Sequence, residues 1–236
     1  SVARMKQIAI KTDDGDARAF ELGDGPSVLF FIDGIGMRPA MHEMAERLAA
    51  AGYRVLMPDV FWRAGEYTAP EPKRLFTEPA VREEWFKKAF ANASPDKVMR
   101  DTKAYLAHVP GKVGITGYCM GGRLAMIAAG TYPDRVVAAA AYHPGALATD
   151  DPTSPHLLAP EITAKLFIGA AADDANFDAA QQARLAQALD AAHVDYTLEQ
   201  FHAKHGWVPS DTPVHDAAEA ERHWTTLEAL FAATLK

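Results

Sequence analysis

The sequence predicts an α/β fold, with a mostly parallel central sheet and helices on both faces. Three observations predict it. Ser27–Ile32 is a continuous apolar run, as a strand covered on both faces requires. Segments of helical spacing alternate with such runs along the chain, and the connections are short enough for right-handed crossovers. At 236 residues the chain suits one sizeable core, so residues 1–236 read as a single domain.

Residues 4–12 and 17–22, separated by Asp13-Asp14-Gly15-Asp16, read as two strands joined by an Asp-Gly turn and forming an antiparallel edge. The strand at 27–32 ends in Asp33-Gly34. Residues 39–51 follow as a helix with Met41, Met44, Ala45, Leu48 and Ala49 on one face and Glu43, Glu46 and Arg47 on the other. Gly52 ends it, and Tyr53–Met57 is the next buried strand. From Val60 to about Pro95 the period is lost, and Trp62, Arg63, Tyr67, Trp85 and several prolines mix with charges. Residues 60–95 are therefore expected to be a lid or pocket-wall excursion, a plain surface excursion being the alternative. Asp96–His108 resumes as a helix, with Ser94 as its cap and Pro95 in its first turn. Lys112–Thr116, Val136–Tyr142, Lys165–Gly169 and Asp195–Phe201 read as strands. Arg123–Gly130, 178–192 and Val214–Leu235 read as helices, and His143–Pro160 and His202–Thr212 as loops.

The sharpest local pattern is Gly117-Tyr118-Cys119-Met120-Gly121-Gly122, between the strand at 112–116 and the Ala-rich helix after it. It has the spacing of a nucleophile elbow, G-x-S-x-G, with sulfur in place of oxygen. A nucleophile on so tight a turn sits in strained backbone, and flanking side chains would collide with the neighbouring strand and helix. The turn also places it at a helix N-terminus, whose unpaired amides and dipole favour negative charge. A lone Cys is more commonly a small buried hydrophobe. Here the glycine spacing and the strand-to-helix setting favour a nucleophile.

In such a sheet, functional groups gather on loops at the carboxyl ends of strands. The qualifying loops are Asp33–Gly36, the Cys119 elbow, Asp173-Asp174, and His202–His205. The order Cys, Asp, His is the triad order of the α/β-hydrolases. His205 precedes Gly206-Trp207 and is the favoured base, with His202 its competitor. Asp173 and Asp174 are adjacent, so only one can orient the imidazole while the other caps the following helix. An oxyanion hole needs two backbone amides. Met120, after the nucleophile, and Gly34, which no side chain obstructs, are the candidates. Asp33 ends a wholly apolar strand, where it reads equally as a turn cap.

Composition excludes several classes. Lys+Arg 24 against Asp+Glu 31 gives a net charge of -7, and the basic residues are scattered, which argues against nucleic acid or an anionic membrane as partner. One cysteine rules out an internal disulfide framework or a Cys-rich metal site. No apolar run approaches the roughly 18 residues that span a bilayer, and Ser1–Lys11 lacks the apolar core of a signal peptide. The expectation is a cytoplasmic enzyme that uses neither metal nor cofactor, as monomer or homodimer.

The elbow, the Gly52-Tyr53 to Pro58-Asp59 strand, the Ala171–Phe177 loop and Lys204-His205-Gly206-Trp207 together resemble the dienelactone hydrolase family of α/β-hydrolases, over nearly the whole chain. The resemblance implies Cys119 as nucleophile, His205 as base and Asp174, the acid nearer Phe177, as orienting residue, with oxyanion amides from Gly34 and Met120. It also implies an auxiliary acid that controls the thiol. The matching residue is Asp33, one methylene shorter than the family's glutamate, so its role depends on reach. Family members acting on dienelactone carry a basic residue shortly after the catalytic His. Here Gly206-Trp207-Val208-Pro209 has none. Trp62, Trp85 and Trp207, with Phe61, suggest a larger or more apolar pocket.

The implied activity is hydrolysis of carboxylic esters or lactones through a thioester, with activated aryl esters and phosphotriesters as side substrates. The alternative is a non-hydrolytic redox-sensing or binding protein on the same scaffold. A reactive thiolate suits peroxide sensing, but the chain has no second cysteine to resolve a sulfenic acid.

Overall fold

A computed structural model of the chain describes residues 5–236, so Arg4, expected to open the first strand, and the start of the Ser1–Lys11 stretch lie outside the described residues. Apolar runs become the middle strands of a sheet because both their faces are covered. β3 (Ser27–Phe31) and β5 (Val113–Tyr118) are buried at every position. β3 pairs in parallel with β4 (Arg54–Pro58) on one side and β5 on the other. β6 (Val136–Tyr142), β7 (Lys165–Ala170) and β8 (Tyr196–Gln200) continue the parallel run. β1 (Lys6–Thr12) and β2 (Gly15–Leu22) form the antiparallel edge against β4, giving the order β1-β2-β4-β3-β5-β6-β7-β8. Thr12 pairs with Gly15, so the turn is Asp13-Asp14 alone and tighter than the four residues expected.

The helices follow from their apolar stripes and caps. α1 (Pro39–Ala50) buries Met41, Met44, Ala45, Leu48 and Ala49, the face its spacing predicts. α4 (Pro95–His108) starts where the Ser94 hydroxyl accepts from the Lys97 amide. α5 (Met120–Thr131) and α7 (Ala217–Thr234) pack on β5 and β6 from opposite faces, and α6 (Ala179–Ala191) follows β7. α7 begins three residues later than expected. The Asp216 carboxylate accepts the Glu219 amide at 3.0 Å and sets the helix start there, so Val214 stays in the loop.

Residues 60–95 differ most from expectation. They are largely helical, with a 3₁₀ turn at Trp62–Ala64, then α2 (Pro72–Thr77) and α3 (Pro79–Asn92). α3 buries only Trp85 and Ala89, one turn apart. So narrow a stripe on a charged helix leaves no period to read in the sequence. Among the described residues, no helix is long and apolar enough to cross a membrane.

Candidate active site

β5 ends at Tyr118 and α5 begins at Met120, so Cys119 alone makes the turn, at φ 56 and ψ -116. L-residues rarely adopt this region, and it persists only where the surroundings hold it. Here the Cys119 amide donates to the Tyr142 carbonyl of β6 at 3.0 Å. A Cβ on Gly117 would lie 1.9 Å from the Gly121 carbonyl oxygen, and one on Gly121 would lie 2.3 Å from that of Phe31. Strand and helix can therefore approach closely enough only with glycine at both positions. Behind the turn, the Tyr118 hydroxyl donates to His223 Nε2 at 2.7 Å, and His223 Nδ1 lies 3.2 Å from the Ala220 carbonyl.

Cys119 Sγ lies 2.9 Å from His205 Nε2, and His205 Nδ1 lies 2.6 Å from Asp174 Oδ2. Asp174 is buried and its Oδ1 accepts the Asn176 amide, whereas Asp173 is exposed. His202 is also exposed, its amide tied to Glu219. Thus one member of each open pair is joined to the sulfur, His205 directly and Asp174 through His205. The loops bearing acid and base are joined directly, Ala172 donating to the Ala203 carbonyl at 2.8 Å. Burial works against a charge on His205, but the charge on Cys119, the Asp174 hydrogen bond and the Asp174 charge hold its pKa well above the ordinary imidazole value. His143 lies between His205 and Trp207, at ring distances of 5.6 Å and 4.9 Å. Burial and the neighbouring His205 push His143 well below the ordinary value, so His205 does not face a second cation.

Met120 is the first residue of α5, so its amide has no intrahelical acceptor. Gly34 lies beside it, an ideal Cβ there being 3.8 Å from Met120 Cβ, and the Gly34 carbonyl is held by Trp85 Nε1 at 2.7 Å. Asp33, the expected auxiliary acid, is held by hydrogen bonds within its own loop and from Arg38. Its Oδ1 accepts Arg38 Nη1 at 2.7 Å and the Ile35 amide at 3.0 Å, and its Oδ2 accepts Arg38 Nη2 at 2.9 Å. The carboxylate is thus the turn cap that the sequence left open, and it also pairs with a guanidinium that the sequence did not single out. Arg38 directly precedes Pro39, where it reads as an ordinary helix start.

A cavity of about 510 Å³ opens onto Cys119 and His205. None of the three tryptophans expected in the pocket lines it. Trp62 donates to Asp101, Trp85 packs behind Gly34, and Trp207 is fully buried and stacked on Phe201. Trp85 packs on Phe61 and Tyr67 and Trp207 on Phe201, so these two indoles are covered in the layer beneath the wall, while Trp62 is half-buried with the Arg63 guanidinium over its ring. The wall is instead Leu75, Phe76, Phe86, Ala89 and Phe90 of α2 and α3. Two cations also line it, Arg82 and Arg123, supplied by α3 and α5 where the sequence reading sought one after His205. Each donates to a single backbone carbonyl, of Leu75 and Ala146 respectively. The other arginines among the described residues lie against carboxylates, except Arg135, which caps three carbonyls. Burial lowers the Arg123 pKa, with only the more distant Asp151 charge opposing it. Among the described residues, no three His, Cys, Asp or Glu side chains form a group that could hold a metal ion.

The dienelactone hydrolase family model matches residues 17–235. A carboxymethylenebutenolidase of Rhodococcus opacus is 26% identical over 138 residues, covering 58% of this chain and 52% of that protein. One of Pseudomonas putida is 30% identical over 141 residues, covering 55% of this chain and 58% of that protein. The chain therefore spans a little over half the length of these curated relatives. In structure it is similar to a dienelactone hydrolase-like promiscuous phosphotriesterase from metagenomic libraries, with a TM-score of 0.78 at 19% identity over 100% of both chains. The eight-stranded, mostly parallel sheet is of the α/β-hydrolase type.

Proposed function

The chain belongs to the dienelactone hydrolase family, and on that premise we propose that it hydrolyses carboxylic esters or lactones through Cys119, His205 and Asp174. The observation that carries this reading is the continuous contact from sulfur to imidazole to buried carboxylate, 2.9 Å and 2.6 Å, opening on a cavity. The Cys119 thiolate attacks the carbonyl carbon, and the developing oxyanion accepts from the Gly34 and Met120 amides. Protonated His205 gives its proton to the leaving alkoxide, which departs as the alcohol and leaves a thioester on Cys119. His205, now neutral, takes a proton from water as that water attacks the thioester. The acid leaves and the thiolate–imidazolium pair returns. Asp174 holds the ring so that Nε2 faces the sulfur throughout.

The walls support a substrate class. Arg82 and Arg123 lie in an otherwise largely apolar cavity with no carboxylate partner among the described residues, so an ester bearing its own anion fits better than a neutral one of equal size. Residues 60–95 act as the pocket wall on this reading. The same two amides suit the P=O oxygen of a phosphotriester, the activity carried in the name of the structural neighbour, as a side reaction. The redox-sensing alternative is weakened by the acid and base that lie within reach of the sulfur, which a sensor does not need.

Reaction with p-nitrophenyl acetate tests the chemistry. A burst of p-nitrophenol with one acetyl group on Cys119 by mass spectrometry is expected, and unchanged turnover in Cys119→Ala would overturn it. Pairs of aryl esters with and without a remote carboxylate test the substrate class. The anionic member should have a KM about tenfold lower, from a charge-assisted hydrogen bond of about 1.5–3 kcal/mol. That advantage should vanish in an Arg82→Met/Arg123→Met double variant.

A further inference from the structure

Arg38 joins two loops that are far apart in sequence. Its side chain is only 5% exposed, and all five guanidinium N–H groups are used. Nη1 donates to Asp33 Oδ1 at 2.7 Å and to the Gly36 carbonyl at 3.0 Å, and Nη2 to Asp33 Oδ2 at 2.9 Å. Nε donates to Asp211 Oδ2 at 2.8 Å, and Nη2 also to Asp211 Oδ1 at 3.2 Å. Asp33 and Gly36 flank Gly34, the proposed oxyanion donor. Asp211 closes the loop that bears His205, where Thr212 is also tied back to the Gly206 carbonyl at 2.7 Å. One planar fork therefore spans the group that would bind the oxyanion and the group that would move the proton.

We propose that Arg38 is a positioning residue that keeps the Gly34 loop and the His205 loop in a fixed relation, and that Asp33 belongs to this clamp and not to the ionisation of Cys119. The proposal rests on the roles given above to Gly34 and His205. For Asp33 to serve the thiol it would have to give up bidentate, charge-assisted bonds to a buried guanidinium and leave that cation short of partners. The sulfur already has His205 at 2.9 Å. The clamp instead gives the oxyanion donor and the base a common anchor, and their spacing is what the tetrahedral intermediate depends on.

Asp211 is the outer arm, 33% exposed, so Asp211→Asn keeps the shape, removes one charge and leaves the core intact. With p-nitrophenyl acetate, Asp211→Asn is expected to lower kcat about tenfold with little change in KM, and Asp211→Glu to recover part of the loss. Arg38→Lys, which cannot reproduce the fork, is expected to lower kcat about 100-fold. Two readouts do not require turnover. Amide hydrogen exchange across residues 33–38 should quicken in Asp211→Asn, although the substitution lies in the other loop. The pH dependence of Cys119 alkylation by iodoacetamide should be displaced no further in Asp33→Asn than in Asp211→Asn, which breaks the same clamp from its outer arm. Unchanged exchange at 33–38, or an alkylation profile displaced by Asp33→Asn well beyond that of Asp211→Asn, would overturn the clamp. If the unmodified protein turns over no ester, the hydrolase reading fails by itself, and exchange and alkylation still decide the clamp.

Discussion

Where the cavity meets the sheet its wall is backbone held against backbone; where it meets α2 and α3 it is a row of side chains on two sparsely buried helices. On the sheet side, Gly117 and Gly121 leave no room for a methyl group, and Cys119 is kept in strained geometry by a hydrogen bond to β6. On the helix side, Phe90 is 61% exposed and Phe76 37% exposed, and α3 buries only Trp85 and Ala89. The difference separates two tasks. Chemistry needs reacting atoms fixed to a fraction of an ångström, which interlocked backbone supplies. Selecting a substrate needs only shape and a few charges, which exposed side chains can supply and change without disturbing the core.

Four measurements would break or sharpen that contrast. Asp174→Asn should have the largest effect, lowering kcat by roughly 10³-fold, because the amide no longer holds His205 in the tautomer that faces the sulfur. Its Asn176 amide bond can persist, but the bond and charge that raise the His205 pKa are lost, so the thermal midpoint should fall modestly at neutral pH; a loss of kcat below tenfold would remove Asp174 from the chemistry. Gly121→Ala comes next. Its methyl group would lie 2.3 Å and 2.4 Å from the Phe31 and Ile32 carbonyl oxygens, and urea unfolding should show a loss of roughly 3 kcal/mol or more. A midpoint equal to that of the unmodified protein would mean that the elbow is not backbone-locked.

The third measurement concerns the buried support behind the elbow. Burial is the main cause that lowers His223 to a pKa of about 3, opposed by its bond to the Ala220 carbonyl. Above pH of about 6.5 neither folded nor unfolded chain protonates this ring, and its contribution is constant. As pH falls below that value the unfolded chain takes up a proton that the folded chain refuses, so stability is lost down to about pH 3. Between pH 6.5 and 4 the unmodified protein should lose about 3 kcal/mol more than His223→Gln, read from urea unfolding at each pH. Parallel curves would place the acid sensitivity elsewhere. The smallest effect should be on the helix side. Phe90→Ser is expected to change stability by no more than about 0.5 kcal/mol while raising KM several-fold for bulky aryl esters. A large loss of stability would show that the two walls are built alike.

The strands and the elbow were legible because their signals are local. Val28–Phe31 and Val136–Tyr142 are apolar throughout, and glycine spacing marks Cys119. α3 escaped notice because its buried stripe is only Trp85 and Ala89. The tryptophans misled for a related reason. Size and polarity say that an aromatic is buried somewhere, and Trp207 is fully buried, but they do not say whether the face it covers is a cavity or the layer below. Asp33 read equally as turn cap and as auxiliary acid, and its partner Arg38 carries no motif.

By itself, then, the sequence determined the α/β alternation, the strained turn at Cys119 and the order in which the candidate nucleophile, acid and base follow one another. Each of these is written in neighbouring residues, through side-chain period or glycine sterics. Only the tertiary structure set Asp174, and not Asp173, against His205, and His205, and not His202, against Cys119. It alone lined the cavity with Phe86, Arg82 and Arg123, and it alone tied both Asp33 and Asp211 to Arg38. The physical reason is that these contacts join loops up to 173 residues apart. A side chain's choice of partner there depends on where the sheet brings the loops together, and no local pattern encodes that.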